Sequence, residues 1–409
     1  MDWSDTPEQA AFRASIRTLI QEKLPPYYRR QAEERRPTGL EGDWQNDITG
    51  DNPEARAAAQ EWATVLYERG FSAPHWPKEY GGGGLTPMEH FVLNQEMAAA
   101  HAPIVGGQGI SMFGPTVLLH GTEEQKRKLL PKTISGEYLW AQGFSEPGAG
   151  SDLASLQARA VLDGDEYVIN GQKLWTSGAH KSNWIFGLFR TDPEAPKHRG
   201  ISFIVMDMKT PGISVRPIIS IGWEHATNET FYEDVRVPAD QVIGEPNKGW
   251  YVGMTLNDFE RSNIGVAVEI QDKLAATLAN VKSPAAQQQL EGGGLQRQRL
   301  AIAQHHIEAG VLFNFSCRII SMQAAGLTPG SEGSVSKIFS SELIQRLSNT
   351  GMRLYGLYSN VWDPDNRYSP QKSLFTHDNL HSIVLTIYDG SNEIQRNIIA
   401  TRGLGLPRG

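Results

Sequence analysis

A single cysteine, Cys317, stands in 409 residues. One thiol excludes an intrachain disulfide and any Cys-rich zinc site, and it fits a reducing cytosol. The chain has no Gly-x4-Gly-Lys-Ser/Thr, and no Gly-x-Gly-x-x-Gly joins a strand to a helix, so neither a P-loop nor a Rossmann phosphate site is expected. It also lacks the Gly-x-Ser-x-Gly of a nucleophile elbow. His377 and His381 lie four apart and His305-His306 are adjacent, but without a His-Glu-x-x-His or a cysteine cluster no metal site is expected. No uncharged apolar run approaches the ~18 residues of a membrane span, and the N-terminus starts acidic rather than basic. Positive charge is not in excess: 38 Lys and Arg face 46 Asp and Glu, a net of −8. That balance gives no general attraction to nucleic acid or to anionic membranes.

What is present suits an α+β chain of several domains. Apolar residues make up 39% and charged residues 21%, as in soluble folded proteins. Up to about residue 138 the pattern is helical: Phe12, Ile16, Leu19 and Ile20 recur at helical spacing after Ser4-Asp5-Thr6-Pro7. Similar patterns cover 54–69, 87–100 and 122–130, whereas 29–53 is polar and reads as a solvated loop. From 139 to 245 the period changes. Strand candidates at 158–162, 165–169 and 172–177 are separated by Asp163-Gly164 and Asn170-Gly171, dipeptides that favour hairpin turns. Further candidates at 184–189, 201–206, 213–218 and 229–237 complete a compact antiparallel β-barrel. From 246 to 409 the helical period returns, with Ile270, Leu274 and Leu278 four apart and a long helix over 300–320. About four helices there are enough for a four-helix bundle. The expected domains are therefore 1–138, 139–245 and 246–409.

Some segments carry chemistry. Gly148-Ala149-Gly150-Ser151-Asp152 is a small-residue loop whose backbone N–H groups could cradle an anion or the edge of a polar ring. Trp175-Thr176-Ser177 ends a predicted strand; an exposed Trp there could stack on a flat cofactor, and a Trp in the sheet core fits the same pattern. Glu260 lies in a mostly apolar helix, with Asp258 and Arg261 spaced as a surface pair. Asp389 lies in a tight turn before the final helix, where Asn392 is a candidate cap and Gln395 its box partner.

Together with these, the ordered stretches Trp76–Gly82, Gly121–Lys126, Phe144–Asp152, Asn170–Ser177, Val235–Pro238 and Glu393–Ile399 resemble the acyl-CoA dehydrogenase family of flavoenzymes over nearly the whole chain. The resemblance implies α,β-dehydrogenation of an acyl-CoA thioester to the trans-2-enoyl-CoA with non-covalent FAD. A carboxylate takes the α-proton, hydride passes to flavin N5, and electrons leave to an electron-transfer flavoprotein. It further implies that Gln142, Phe144, Ser145, Gly150, Ser151, Trp175, Ser177, Ser391 and Glu393 meet the flavin. Ser151, Asp258 and Arg261 would line the acyl-CoA channel. A cytoplasmic homodimer or homotetramer, assembled through the third section, is expected.

The base is where the sequence departs. The resemblance implies a Glu either at position 389 or at position 260, and here both positions are acidic. Asp is shorter than Glu by one C–C bond, about 1.5 Å. Near-attack geometry tolerates little misplacement, so Glu260 is the expected base and Asp389 the alternative. Two carboxylates near one α-carbon would raise one pKa. Position 389 can still offer its backbone N–H to the thioester oxygen. An Arg-x-x-Phe-Gly that reaches a neighbouring subunit's flavin in many relatives is missing from 283–294. Alternative functions are a nitroalkane-oxidase type of flavin oxidase using Asp389, or a flavin-binding subunit supporting a catalytic partner.

Overall fold

The structure, a computed structural model, describes residues 4–34, 43–259, 264–290, 293–327 and 329–407. It is α+β: helices, then a β-sheet, then helices. Thr6 opens the first helix, α1 (Pro7–Lys23). Its hydroxyl accepts from the Gln9 N–H, while the Gln9 side chain accepts from the Thr6 N–H, so two orphan donors are satisfied together. Next come α2 (Pro26–Glu34), α3 (Trp44–Thr49), α4 (Pro53–Glu68), α5 (Pro87–Ala99), α6 (Gly114–His120) and α7 (Glu123–Ile134). Thr86 and Thr122 repeat the reciprocal cap before α5 and α7.

The solvated loop expected over 29–53 is corrected, because α2 and α3 fall there. Pro26 sits in the first turn of α2, where its missing N–H costs nothing. Few apolar residues mark these helices, but their aromatic ones are buried: Tyr27, Tyr28 and Trp44 join Ile16, Trp62 and Leu93 in one core. The Trp44 indole donates to the Ala59 carbonyl at 3.0 Å.

The strands are β1 (Trp140–Gly143), β2 (Arg159–Asp163), β3 (Glu166–Lys173), β4 (Trp184–Arg190), β5 (Ile201–Asp207), β6 (Ile213–Ile218), β7 (Thr227–Pro238) and β8 (Val242–Ile243). They pair in the order β6-β7-β3-β2-β4-β5-β8, with β1 beside β4. The expected antiparallel barrel is thereby corrected to a mixed sheet, since β1 and β2 both run parallel to β4. The pairing path runs from β6 to β8 without closing among the described residues. β8 is only two residues long, and β6 carries Pro217, a residue suited to an edge strand because it cannot donate to a ladder. Asn170-Gly171 also proves not to be a turn. β3 runs straight through it with a bulge opposite the twelve-residue β7, whose length holds both halves of β3 in one ladder.

After the sheet come α8 (Gly249–Phe259), α9 (Ile264–Asn280), α10 (Pro284–Leu290), α11 (Gly294–Ala324), α12 (Glu332–Tyr355), α13 (Leu374–Leu385) and α14 (Asn392–Ile398). Ile270 and Leu274 of α9, Leu312 of α11, Leu343 of α12 and Phe375 of α13 share one core. Leu278, expected on the same face, is 37% exposed. A third core joins the N-terminal helices to one sheet face through Trp76, Phe113, Trp140, Phe186 and Phe203. The opposite face packs Ile169, Phe189, Tyr232 and Val235. Among the described residues no helix is long and apolar enough to cross a membrane.

Candidate active site

β1 places Gln142 opposite Phe186 of β4 and then leaves the sheet. Phe144 packs edge-on against Phe186 and Phe203, at centroid distances of 6.0 and 6.2 Å. Glu146 and Ala149 exchange two 3.0 Å backbone hydrogen bonds, closing a turn over Pro147-Gly148. A Cβ built at Gly148 or Gly150 would meet nothing within 4 Å, so the backbone of this loop is open to a ligand, and Ser151 beside it is exposed.

A buried ion pair fixes the loop to the end of β3. Lys173 Nζ donates to Glu146 Oε1 at 2.8 Å and to the Leu188 and Phe144 carbonyls at 2.6 and 3.3 Å. Glu146 also accepts from the Gln157 and Ala158 N–H groups at 2.7 and 2.9 Å. Burial pulls the Lys173 ammonium down to about 8, with the Glu146 charge opposing. The Leu174 N–H donates to the Ser145 carbonyl at 2.8 Å, so the two segments run side by side.

Trp175 follows with φ +60° and is 58% exposed, which decides its two sequence readings against the sheet core. A bulky residue in left-handed backbone is held there by its surroundings. Thr176 supplies that hold: it exchanges backbone hydrogen bonds with Asn228 at 2.9 and 3.1 Å, and the Asn228 amide donates to its carbonyl at 3.0 Å. Ser177 beside it is exposed. An exposed indole face, an open glycine loop and hydroxyls at Ser151 and Ser177 fit a flat heteroaromatic ring with polar edges, as the implied flavin has.

The second half of the site is the turn between α13 and α14. Asp389 and Gly390 have φ +52° and +75°. Lys337 of α12 donates to the Gly390 carbonyl at 3.0 Å and to Asn392 Oδ1 at 2.9 Å. Gln395 Nε2 donates to the Asp389 carbonyl at 2.8 Å. Ser391, not Asn392, caps α14 by accepting from the Ile394 N–H at 3.4 Å, and Gln395 serves the turn rather than the cap. Asn392 lies buried against Ser341 instead. Among the described residues none accepts a hydrogen bond from the Asp389 backbone N–H. Asp389 is exposed, yet the protein packed around its carboxyl raises its pKa, with Lys337 opposing. Ile387 and Tyr388 next to it are exposed apolar surface. Glu393 is exposed, its carboxyl lowered by its own N–H and by the Ser391 hydroxyl.

Asp258 lies on α8, while Glu260 and Arg261 lie outside the described residues. The structure therefore gathers Gln142, Phe144, Ser145, Gly150, Ser151, Trp175 and Ser177 around adjoining chain segments, and Ser391 and Glu393 beside Asp389. Sequence reading missed Lys337 and the Glu146–Lys173 pair. Glu146 and Lys173 stand inside the stretches that carry the family resemblance, but no local spacing joins residues 27 apart.

The acyl-CoA dehydrogenase N-terminal, middle and C-terminal domain models match residues 6–137, 141–235 and 247–404. Acyl-CoA dehydrogenase IpdE1 of Mycobacterium tuberculosis is 38% identical over 88% of this chain and 91% of its own. FadE29 of the same organism is 34% identical over 98% of both. Among solved structures, the Tcur3481–Tcur3483 steroid ACAD superposes with a TM-score of 0.81 at 31% identity over all of both chains. The ChsE4–ChsE5 complex from Mycobacterium tuberculosis gives 0.80 at 30%, again over all of both chains. With its domains matched in order and its relatives covered almost end to end, the chain belongs to the acyl-CoA dehydrogenase family, a family of FAD-dependent oxidoreductases.

Proposed function

We propose that this chain dehydrogenates an acyl-CoA thioester to the trans-2-enoyl-CoA and passes the electrons to an electron-transfer flavoprotein. The observation that carries this reading is the unpaired Asp389 N–H in a turn whose carbonyls are already held by Lys337 and Gln395. A fixed, unspent donor is what developing enolate charge on a thioester oxygen requires, because it costs no reorganisation when the charge appears. Bound FAD would supply the hydride acceptor. Trp175 and Ser177 would orient its ring, and the loop through Gly150 and Ser151 would hold its polar edge, together with Gln142, Phe144, Ser145, Ser391 and Glu393. Asp258, Arg261 and Ser151 would line the channel of the CoA arm.

Glu260 is the proposed base. Asp389, its carboxyl raised by the protein packed around it, is the group suited to stay protonated beside an ionised neighbour. The substrate is proposed to carry a branched or ring-bearing acyl group, by analogy with the steroid ACAD that superposes on this chain. Leu300, Ile307 and Val311, exposed at 84%, 61% and 51%, form one stripe along α11. This stripe is proposed to pack against a second subunit; a chain of the ChsE4–ChsE5 complex superposes on this one.

Bleaching of the bound flavin by a panel of acyl-CoAs tests the reading. Glu260→Gln is expected to slow bleaching by roughly 10²–10⁴-fold. Asp389→Asn, which keeps the backbone N–H, is expected to lose less. Full bleaching in Glu260→Gln would remove that residue as the base. A purified chain that takes up no FAD would end the reading as a whole.

A further inference from the structure

Two links leave the loop between β6 and β7 in opposite directions. One runs back to the Trp175 segment. His225 Nε2 meets Asn228 Oδ1 at 2.8 Å, and Asn228 Nδ2 meets His180 Nδ1 at 3.1 Å. The rings of His180 and His225 stack at 3.8 Å and 19°. The Gly178 N–H also donates to the Ala226 carbonyl at 2.9 Å. The other link runs to α13. Glu224 Oε2 lies 3.6 Å from His381 Nδ1, and a Cβ on Gly222 would stand 3.9 Å from Leu380 Cβ.

The loop between the links is braced. Ser220 Oγ accepts from the Gly222 and Glu224 N–H groups at 3.1 and 3.2 Å, and the Ser220 N–H donates to the Glu224 carbonyl at 2.9 Å. Glu224 therefore moves with the Trp175 segment, while His381 moves with the helix that leads, eight residues on, into the Asp389 turn.

We propose that His381 is a positioning residue whose contact with Glu224 holds the Asp389 turn in register with the Trp175–Ser177 segment. The proposal rests on the function proposed above, because that chemistry needs the thioester donor and the ring platform at a fixed separation. A displacement of about 1 Å at such a site can cost about a hundredfold in rate.

The contact is pH-dependent. His381 is raised from its usual range by Glu224, while burial opposes; Asp378 on the same helix favours its charge and Lys273 of α9 disfavours it. Lys273 is itself bound to Asp378 at 2.6 Å. The imidazolium–carboxylate attraction is present below the raised pKa and fades as pH rises through it.

The test compares wild-type holoenzyme with Glu224→Gln, His381→Ala and His381→Lys. Hydrogen exchange of a peptide covering residues 386–392, measured without acyl-CoA, is expected to quicken severalfold in Glu224→Gln and His381→Ala. In the wild type its protection, taken relative to the intrinsic exchange rate at each pH, is expected to fall as pH rises through the His381 pKa. Both variants are expected to keep FAD and the KM for acyl-CoA and to lose about tenfold in the rate of flavin bleaching. His381→Lys, whose charge does not titrate in this range, is expected to rescue the rate and to abolish the pH dependence of that protection. Wild-type exchange and pH profile in Glu224→Gln, or loss of FAD without rescue by Lys, would overturn the proposal. The exchange arm needs no turnover, so it can fail while the proposed function stands.

Discussion

Lys173 shows how one residue sets up the candidate site. Its side chain is 0% exposed, and its only counter-charge among the described residues is Glu146. Taking both charges out of water costs several kcal/mol per ion, which the pair and its accompanying hydrogen bonds offset. Removing one partner is different in kind, because it strands a charge. Glu146→Gln is therefore expected to destabilise the fold by about 3–5 kcal/mol, read as a lower urea midpoint. It should also loosen the loop through Gly150, since Glu146 takes two of that loop's N–H groups. Asp389 is the opposite case. Its backbone is strained and its N–H unspent, and what pins it, Lys337 and Gln395, touches only its turn's carbonyls and the Asn392 side chain.

Elements here are matched by shape at a few contacts. Trp76 is fully buried, and a Cβ on Gly114 in α6 would fall 1.7 Å from its Cζ2 atom. The first turn of α6 thus rests directly on the indole face, which no larger residue would permit. Gly114→Ala is expected to cost about 1–3 kcal/mol through overpacking, although Ala is the better helix former; a thermal melt of purified protein would check the sign. The strands teach a related lesson. Asn170-Gly171 looks like a hairpin turn by composition, and only the length of β7 makes it a bulge. The wholly antiparallel pairing expected from the strand pattern gives way for a comparable reason. Alternation tells which strands are half-buried, whereas parallel pairing of β1 and β2 with β4 depends on how the chain returns through residues 144–158.

At the scale of the whole molecule, two partly buried histidines contribute to the response to acid. His75 and His90 stack at 5.0 Å in the N-terminal section, and burial pulls each down to about 4. A histidine whose folded pKa lies below its unfolded value of about 6.5 binds fewer protons folded than unfolded. Stability is then fully present above about pH 6.5, falls as pH drops, and levels off below about 4. The pair titrates together, so the loss is expected to be on the order of a few kcal/mol in all rather than a separate sum for each ring. Urea midpoints at pH 7, 6 and 5 should fall steadily; equal midpoints would remove the histidines as the cause.

The sequence by itself determined the helix–strand–helix order, the capped start of the first helix, and the motif stretches that mark the family. These are local properties, written in periodicity and in short-range hydrogen bonds that a few neighbouring residues complete among themselves. Tertiary structure alone decided that Trp175 faces outward, that Ser391 rather than Asn392 caps the last helix, that Lys337 holds the Asp389 turn, and that Glu146 pairs with Lys173 and Glu224 with His381. Each of those outcomes depends on a partner dozens to hundreds of residues away, and the desolvation that shifts Asp389 and Lys173 arises only once distant segments close around them.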